Sequence, residues 1–139
     1  MTMNPAPEIS VIIPTYQRRD SLTRALRALA QQSMPAERFE VIVVVDGSED
    51  GTRDLLADFQ APYDLRSLWQ PNRGRAAAIN AGIQVASGVL LILLDDDMEP
   101  ARGFVAAHAQ AHQGQPRLGI MGAAPIEIST GLPPLVAHY

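Results

Sequence analysis

Residues Leu90–Pro100 read LLILLDDDMEP. Five consecutive aliphatic side chains run directly into Asp95, Asp96 and Asp97. A short apolar run of this length predicts a strand buried on both faces. Three adjacent carboxylates repel one another unless a cation or a hydrogen-bond network compensates them. The stretch therefore predicts a cation site at the carboxyl edge of a parallel sheet, and the competing reading is a solvated acidic turn.

Upstream the same grammar repeats. Ile9–Pro14 (ISVIIP) is β-branched and uninterrupted, which fits a central parallel strand, with Pro14-Thr15-Tyr16 as its exit loop. Asp20 or Ser21 can cap a helix reaching about Gln32, whose Leu22, Ala25, Leu26, Leu29 and Ala30 form one core-facing stripe. Glu40–Val45 is a second strand, ending at Asp46-Gly47-Ser48. Asp50 opens an amphipathic helix with Leu55, Leu56 and Phe59 inward. A third strand near Leu65–Trp69 leads through Pro71-Asn72-Arg73-Gly74 into a helix over about Arg75–Ala86. Its small residues, Ala76, Ala77, Ala78, Ala81 and Gly82, predict close approach to the sheet or to a ligand. Strand–helix alternation of this kind means an α/β fold with a mostly parallel central sheet and flanking helices. Ligands of such sheets bind outside the carboxyl ends of the strands. Thr15, Tyr16, Asp46 and Asp95–Asp97 all fall at those ends.

Beyond Pro100 the pattern weakens to a helix over Ala101–Gln113, anchored by Phe104 and Val105, and short strands at 119–124 and 125–129. The expected organisation is a flexible tail at 1–7 and one domain over 8–139, incomplete at its carboxyl end. Its apolar last stretch predicts homo-oligomers.

Composition narrows the chemistry. The chain has 139 residues, 47% hydrophobic and 19% charged, with a net charge of −4. That length suits one domain burying roughly two-thirds of its unfolded surface. The acidic balance argues against nucleic acid as a partner. All eleven basic residues are arginines, which excludes a P-loop lysine and a Schiff base. The absence of cysteine excludes thiolate catalysis and zinc–cysteine sites. The opening MTMNPAPE has no basic or apolar signal-peptide region, and the longest aliphatic run, Val89–Leu94, is too short to span a bilayer. The expected location is the cytoplasm, at the cytoplasmic face of a membrane in a longer protein.

Four blocks, ISVIIPTYQR, VIVVVDGSEDGT, NRGRAAAINAGI and SGVLLILLDDDMEP, occur in an order that resembles the amino-terminal half of family 2 glycosyltransferases. The resemblance covers about residues 8–105. It implies a Rossmann-like GT-A fold, a nucleotide-diphosphate sugar donor (uridine preferred), a divalent cation (Mg²⁺ or Mn²⁺) and inversion at the anomeric carbon. By resemblance, Pro14, Thr15 and Tyr16 pack along the nucleoside, and Asp46 accepts a hydrogen bond from the base. Asn72, Gly74 and Asn80 lie near the ribose and diphosphate, with Arg75 and Arg73 adding positive charge. Asp95-Asp96-Asp97 matches the DxD motif. Asp97 is the implied direct metal ligand, Asp95 sits toward the ribose or a metal water, and Asp96 supports the turn.

Other readings of these residues stay open. Asp46 and Gly47 can form an Asx turn, and Arg18, Arg19, Arg73 and Arg75 can be solvated surface. His108 and His112 are spaced for one helix face, but HAQAH lacks the glutamate of a zinc-protease motif.

Inverting transfer needs a base for the acceptor hydroxyl. In the family an aspartate from the second half of the domain supplies it. After Asp97 there is no aspartate, Glu99 crowds the acidic turn, and Glu127 matches no family motif. The base is therefore expected outside these residues. The acceptor (glycan, lipid or small molecule) is not encoded here. The alternative function is a non-catalytic nucleotide-sugar-binding or assembly module. A nicotinamide-binding domain fails because IPTYQRR replaces the glycine-rich first turn.

Overall fold

A computed structural model describes residues 5–115 and 119. The described elements are β1 (Ile9–Thr15), α1 (Arg19–Leu29), a 3₁₀ turn (Ala36–Arg38), β2 (Phe39–Asp46), α2 (Thr52–Asp58), β3 (Asp64–Gln70), α3 (Arg75–Val85), β4 (Leu90–Leu93) and α4 (Phe104–Ala111). The four strands form one parallel sheet in the order β3-β2-β1-β4. The α/β class read from the sequence is the class observed. The chain steps outward from β1 to β3, then returns through α3 to pair β4 on the other side of β1. That reversal opens a crevice at the carboxyl ends of β1 and β4, where open α/β sheets receive ligands.

The two sheet faces are covered unequally. Odd-numbered residues of β1 and β2, such as Val11, Ile13, Val41 and Val43, pack with Leu22, Leu26 and Leu29 of α1, Leu56 of α2 and Val105 of α4. The opposite face carries Ile42 and Val44 against Ala78 of α3. A Cβ on Gly82 would lie 2.6 Å from Ile12 Cγ2 and 3.3 Å from Val44 Cγ2. At Gly82 the small-residue helix thus approaches the sheet.

Several sequence expectations change. The apolar run before the aspartates is not buried on both faces: β4 is a four-residue strand with alternating burial, and Leu93 is 51% exposed. It is the end strand of the described sheet, and α3 covers β1 and β2 instead. Pro14 belongs to the strand, not to an exit loop. Its missing N–H interrupts no ladder bond on the β4 side, because that pairing ends at Ile12↔Leu93. α1 starts at Arg19 with no side-chain cap from Asp20 or Ser21. Asp50, across the neighbouring loop, accepts the Arg19 N–H at 3.0 Å instead. α4 is shorter than expected. The strands expected at 119–124 and 125–129, and Glu127, lie outside the described residues apart from Gly119. Among the described residues no helix is long and apolar enough to cross a membrane.

The polar core sits at the opposite end of the sheet from the crevice. Glu40, 1% exposed within β2, accepts the Ser10 hydroxyl at 2.7 Å and the Ser87 N–H at 2.7 Å. Arg66 of β3 donates to both its oxygens, at 3.1 and 3.0 Å, and to the Val85 carbonyl at 2.6 Å. This network ties the α3–β4 turn to three strands.

Candidate functional site

The carboxyl ends of β1 and β2, the amino terminus of α3 and the turn after β4 enclose a cavity of about 480 Å³. It is lined by Pro14, Thr15, Tyr16, Arg18, Asp46, Asn72, Gly74, Arg75, Ala78, Asp95, Asp96 and Asp97. Ten of the eleven residues named from the sequence as site candidates therefore meet in one place. Asn80 does not: it is exposed on α3 and absent from the lining. Ala78 lines the cavity, and positions two apart on a helix do not share a face.

The three aspartates share two arginines. Asp95 pairs with the guanidinium of Arg75. Asp96 is buried, accepts the Thr15 hydroxyl at 2.9 Å and lies 3.6 Å from Arg18 Nη1. Burial pushes the Asp96 carboxyl above its ordinary value, and the charges of Asp97 and Asp95 add to that. The Thr15 hydroxyl and Arg18 oppose the shift without cancelling it. Asp97 faces Arg18 Nη1 at 3.2 Å. The side chains of Asp95 and Asp97 are each 53% exposed. Among the described residues, no group of three or more His, Cys, Asp or Glu is placed to hold a metal ion.

Asp46, nearly buried, faces the turn before α3. Burial alone would raise its carboxyl. Hydrogen bonds from Gln70 and from the N–H groups of Arg73 and Gly74 outweigh that and hold it below the usual carboxylate range. Gly74 precedes α3 at φ 97° and ψ 166°, a conformation that is essentially glycine's alone. The helix then starts with no side-chain cap, so its first N–H groups stay available toward the cavity.

Arg18 and Ala78 were not among the site residues selected from the sequence. Ala78 follows Gly74 by four positions, one helical turn, and accordingly faces the same way. Arg18 follows a bend in which Gln17 takes φ 53°, and no local periodicity places it in the lining. Arg73 and Arg19 are outside the lining, and their backbone N–H groups bond Asp46 and Asp50. His108 and His112 stack on α4 with ring centroids 6.2 Å apart, and neither lines this cavity.

A family model described as glycosyl transferase family 2 matches residues 10–132. The uncharacterized glycosyltransferase YfnE of Bacillus subtilis is 42% identical over 114 residues, covering 81% of this chain and 29% of the relative. Residues 1–349 of S. aureus TarS, in complex with UDP-GlcNAc, superpose with a TM-score of 0.72 at 28% identity, covering 77% of this chain and 31% of that one. The mannosyltransferase PcManGT of Pyrobaculum calidifontis, in complex with GDP-Man and Mn²⁺, gives a TM-score of 0.72 at 30% identity over 81% of this chain and 34% of that one. The chain spans about a third of the length of these proteins.

Proposed function

The chain belongs to glycosyl transferase family 2, and from that membership and the cavity's geometry we propose that it is the donor-binding part of an inverting glycosyltransferase. The donor is a nucleoside diphosphate sugar, with uridine as the preferred base, and the acceptor is a hydroxyl. One observation carries the reading. An acidic triplet and an uncapped helix amino terminus line one cavity at the sheet's reversal point, with Arg18 and Arg75 beside the carboxylates.

The nucleoside lies along Pro14, Thr15, Tyr16 and the wall formed by Asp46. The diphosphate lies toward Asn72, Gly74 and Arg75, where backbone N–H groups and guanidinium charge favour an anion. Asn80 is left out of this arrangement. Asp95 and Asp97 offer hard oxygen ligands on the open side of the turn, which suits Mg²⁺ or Mn²⁺. The donor diphosphate supplies further hard oxygens to the set. When bound, the cation offsets charge on the departing nucleoside diphosphate. Arg18 and Arg75 neutralise the same carboxylates in the ligand-free chain, which lets three acids sit together on one turn. Asp96, bonded to Thr15, fixes that turn to β1. No carboxylate lining this cavity is assigned the acceptor's proton.

Equilibrium dialysis of the chain against labelled UDP-GlcNAc and GDP-mannose tests the proposal. Retention of label, displaced by the matching nucleoside diphosphate, is expected. Failure to retain either sugar nucleotide in the presence of Mg²⁺ or Mn²⁺ would sink it.

A further inference from the structure

β1 does not run straight into α1. The chain bends at Gln17, which takes φ 53° and is, among the described residues, the only non-glycine with a positive φ. A glutamine in this left-handed region is strained, and such a residue persists only where its surroundings over-determine it. Here the surroundings are the loop that follows β2. The Gln17 N–H donates to Ser48 Oγ at 2.9 Å, and the Glu49 N–H donates back to Gln17 Oε1 at 2.9 Å. Ser48 is buried, so packing holds this acceptor in place. Just beyond the bend, the Arg19 N–H donates to Asp50 Oδ2 at 3.0 Å. The connection from β1 to α1 is thus fastened to three successive residues of the neighbouring loop.

Neither Gln17 nor Ser48 lines the cavity, but Tyr16 and Arg18, on either side of the bend, both do. Arg18 reaches the acidic turn, with Nη1 3.2 Å from Asp97 Oδ2 and 3.6 Å from Asp96 Oδ1. The side chains of Tyr16 and Arg18 are exposed, so core packing does not fix them. The backbone from which they start does. We propose that Gln17 and Ser48 are positioning residues for the donor: their hydrogen bonds hold the left-handed bend from which Tyr16 meets the nucleoside and Arg18 meets the acidic turn. The donor in this statement rests on the nucleoside-diphosphate reading above. A glycine would adopt φ 53° without steric cost. What the glutamine adds is the amide that ties the bend to Glu49.

Gln17→Gly therefore separates positioning from folding. Release of strain opposes the lost side-chain bond and the freer unfolded chain, so Tm should hold to within about 4 °C. Binding of UDP with Mn²⁺, followed by calorimetry, should weaken about fivefold as the bend loosens. Ser48→Ala removes the acceptor of the Gln17 N–H and should weaken UDP by a similar factor. Unchanged UDP affinity in Gln17→Gly would overturn the proposal. So would a lowered Tm with intact affinity in Ser48→Ala, or affinity lost in Gln17→Gly only together with a collapsed melting transition, since either marks a purely structural role. Hydrogen exchange on the unsubstituted chain gives a reading that does not depend on a variant folding. Protected Gln17 and Glu49 amides are expected, and exchange at open-loop rates would refute the clamp. If the unsubstituted chain binds no UDP, the donor reading fails. If it binds UDP equally with and without the Gln17 amide, the donor reading stands and the positioning role alone falls.

Discussion

Glu40 is the clearest place to test how the sheet's polar core is held. Its carboxylate is fully buried and accepts from Ser10, Ser87 and Arg66. Glu40→Gln keeps the volume and leaves one oxygen for Ser10 and Ser87. It replaces the second oxygen, 3.0 Å from Arg66 Nη2, with a donor. A hydrogen bond to a charged group contributes about 1.5–3 kcal/mol. Arg66 is 37% exposed, so water partly compensates its charge, and a loss near the lower end, about 2 kcal/mol, follows. Glu40→Ala also strands the Ser10 hydroxyl and the Ser87 N–H, which raises the cost to about 3–5 kcal/mol. At about 3–5 °C of Tm per kcal/mol for a domain of this size, Glu40→Gln should melt roughly 6–10 °C lower and Glu40→Ala lower still. Thermal unfolding followed by circular dichroism checks both. Nucleotide affinity should not change for folded protein, because the network lies at the far end of the strands from the cavity. A Tm for Glu40→Gln within a degree of the unsubstituted chain, or equal losses for Gln and Ala, would refute the reasoning.

Two further outcomes follow from the packing. Gly82→Ala gains about 1 kcal/mol of helix propensity. It also drives a methyl to within 2.6 Å of Ile12 Cγ2, on a stiff β-branched side chain, and overpacking costs about 1–3 kcal/mol. A lower urea midpoint is expected, and a higher one would show that α3 sits farther from the sheet. Asp50 accepts from the Arg19 and Thr52 N–H groups and the Thr52 hydroxyl. Against the raising effect of burial, these bonds hold its carboxyl below the ordinary value. Its stabilisation is therefore complete above the unfolded carboxylate pKa of about 3.9 and is lost as pH falls through the lower folded value. Asp50→Ala should cost about 1 kcal/mol at neutral pH. The gap to the unsubstituted chain should close below about pH 4, and a gap constant to strongly acid pH would count against the capping role.

Much of this architecture is legible in local sequence because its causes are local. β-Branched runs at Val11–Ile13 and Val41–Val45 mark strands buried on both faces, and the Leu22, Leu26, Leu29 stripe marks the core face of the helix that follows the first of them. The residues that line the cavity were legible because strand ends are visible in sequence and parallel sheets collect them at one edge. What could not be read depends on strand order and on distant partners. Leu90–Leu94 resembles a central strand in composition, but β4 ends the described sheet and α3 leaves one of its faces open. Glu40 looks like an ordinary strand-start charge until Ser10, Arg66 and Ser87, at 30, 26 and 47 residues' separation, are placed around it. Asp46 shows the same limit. Its position at a strand end is local, but its partners Arg73 and Gly74 are 27 and 28 residues on. Asn80 lies outside the lining for a geometric reason, since a helix turns it away from the cavity that Ala78 lines.

In the proposed function the acidic turn and the α3 amino terminus together hold a nucleoside diphosphate with a cation. Calorimetric titration of UDP into the chain, with and without Mn²⁺, tests it most directly. Binding should strengthen at least about tenfold with Mn²⁺, a gain of about 1.4 kcal/mol or more, and should lose this dependence in Asp97→Ala. Equal affinity with and without the cation, or unchanged metal dependence in Asp97→Ala, would contradict it.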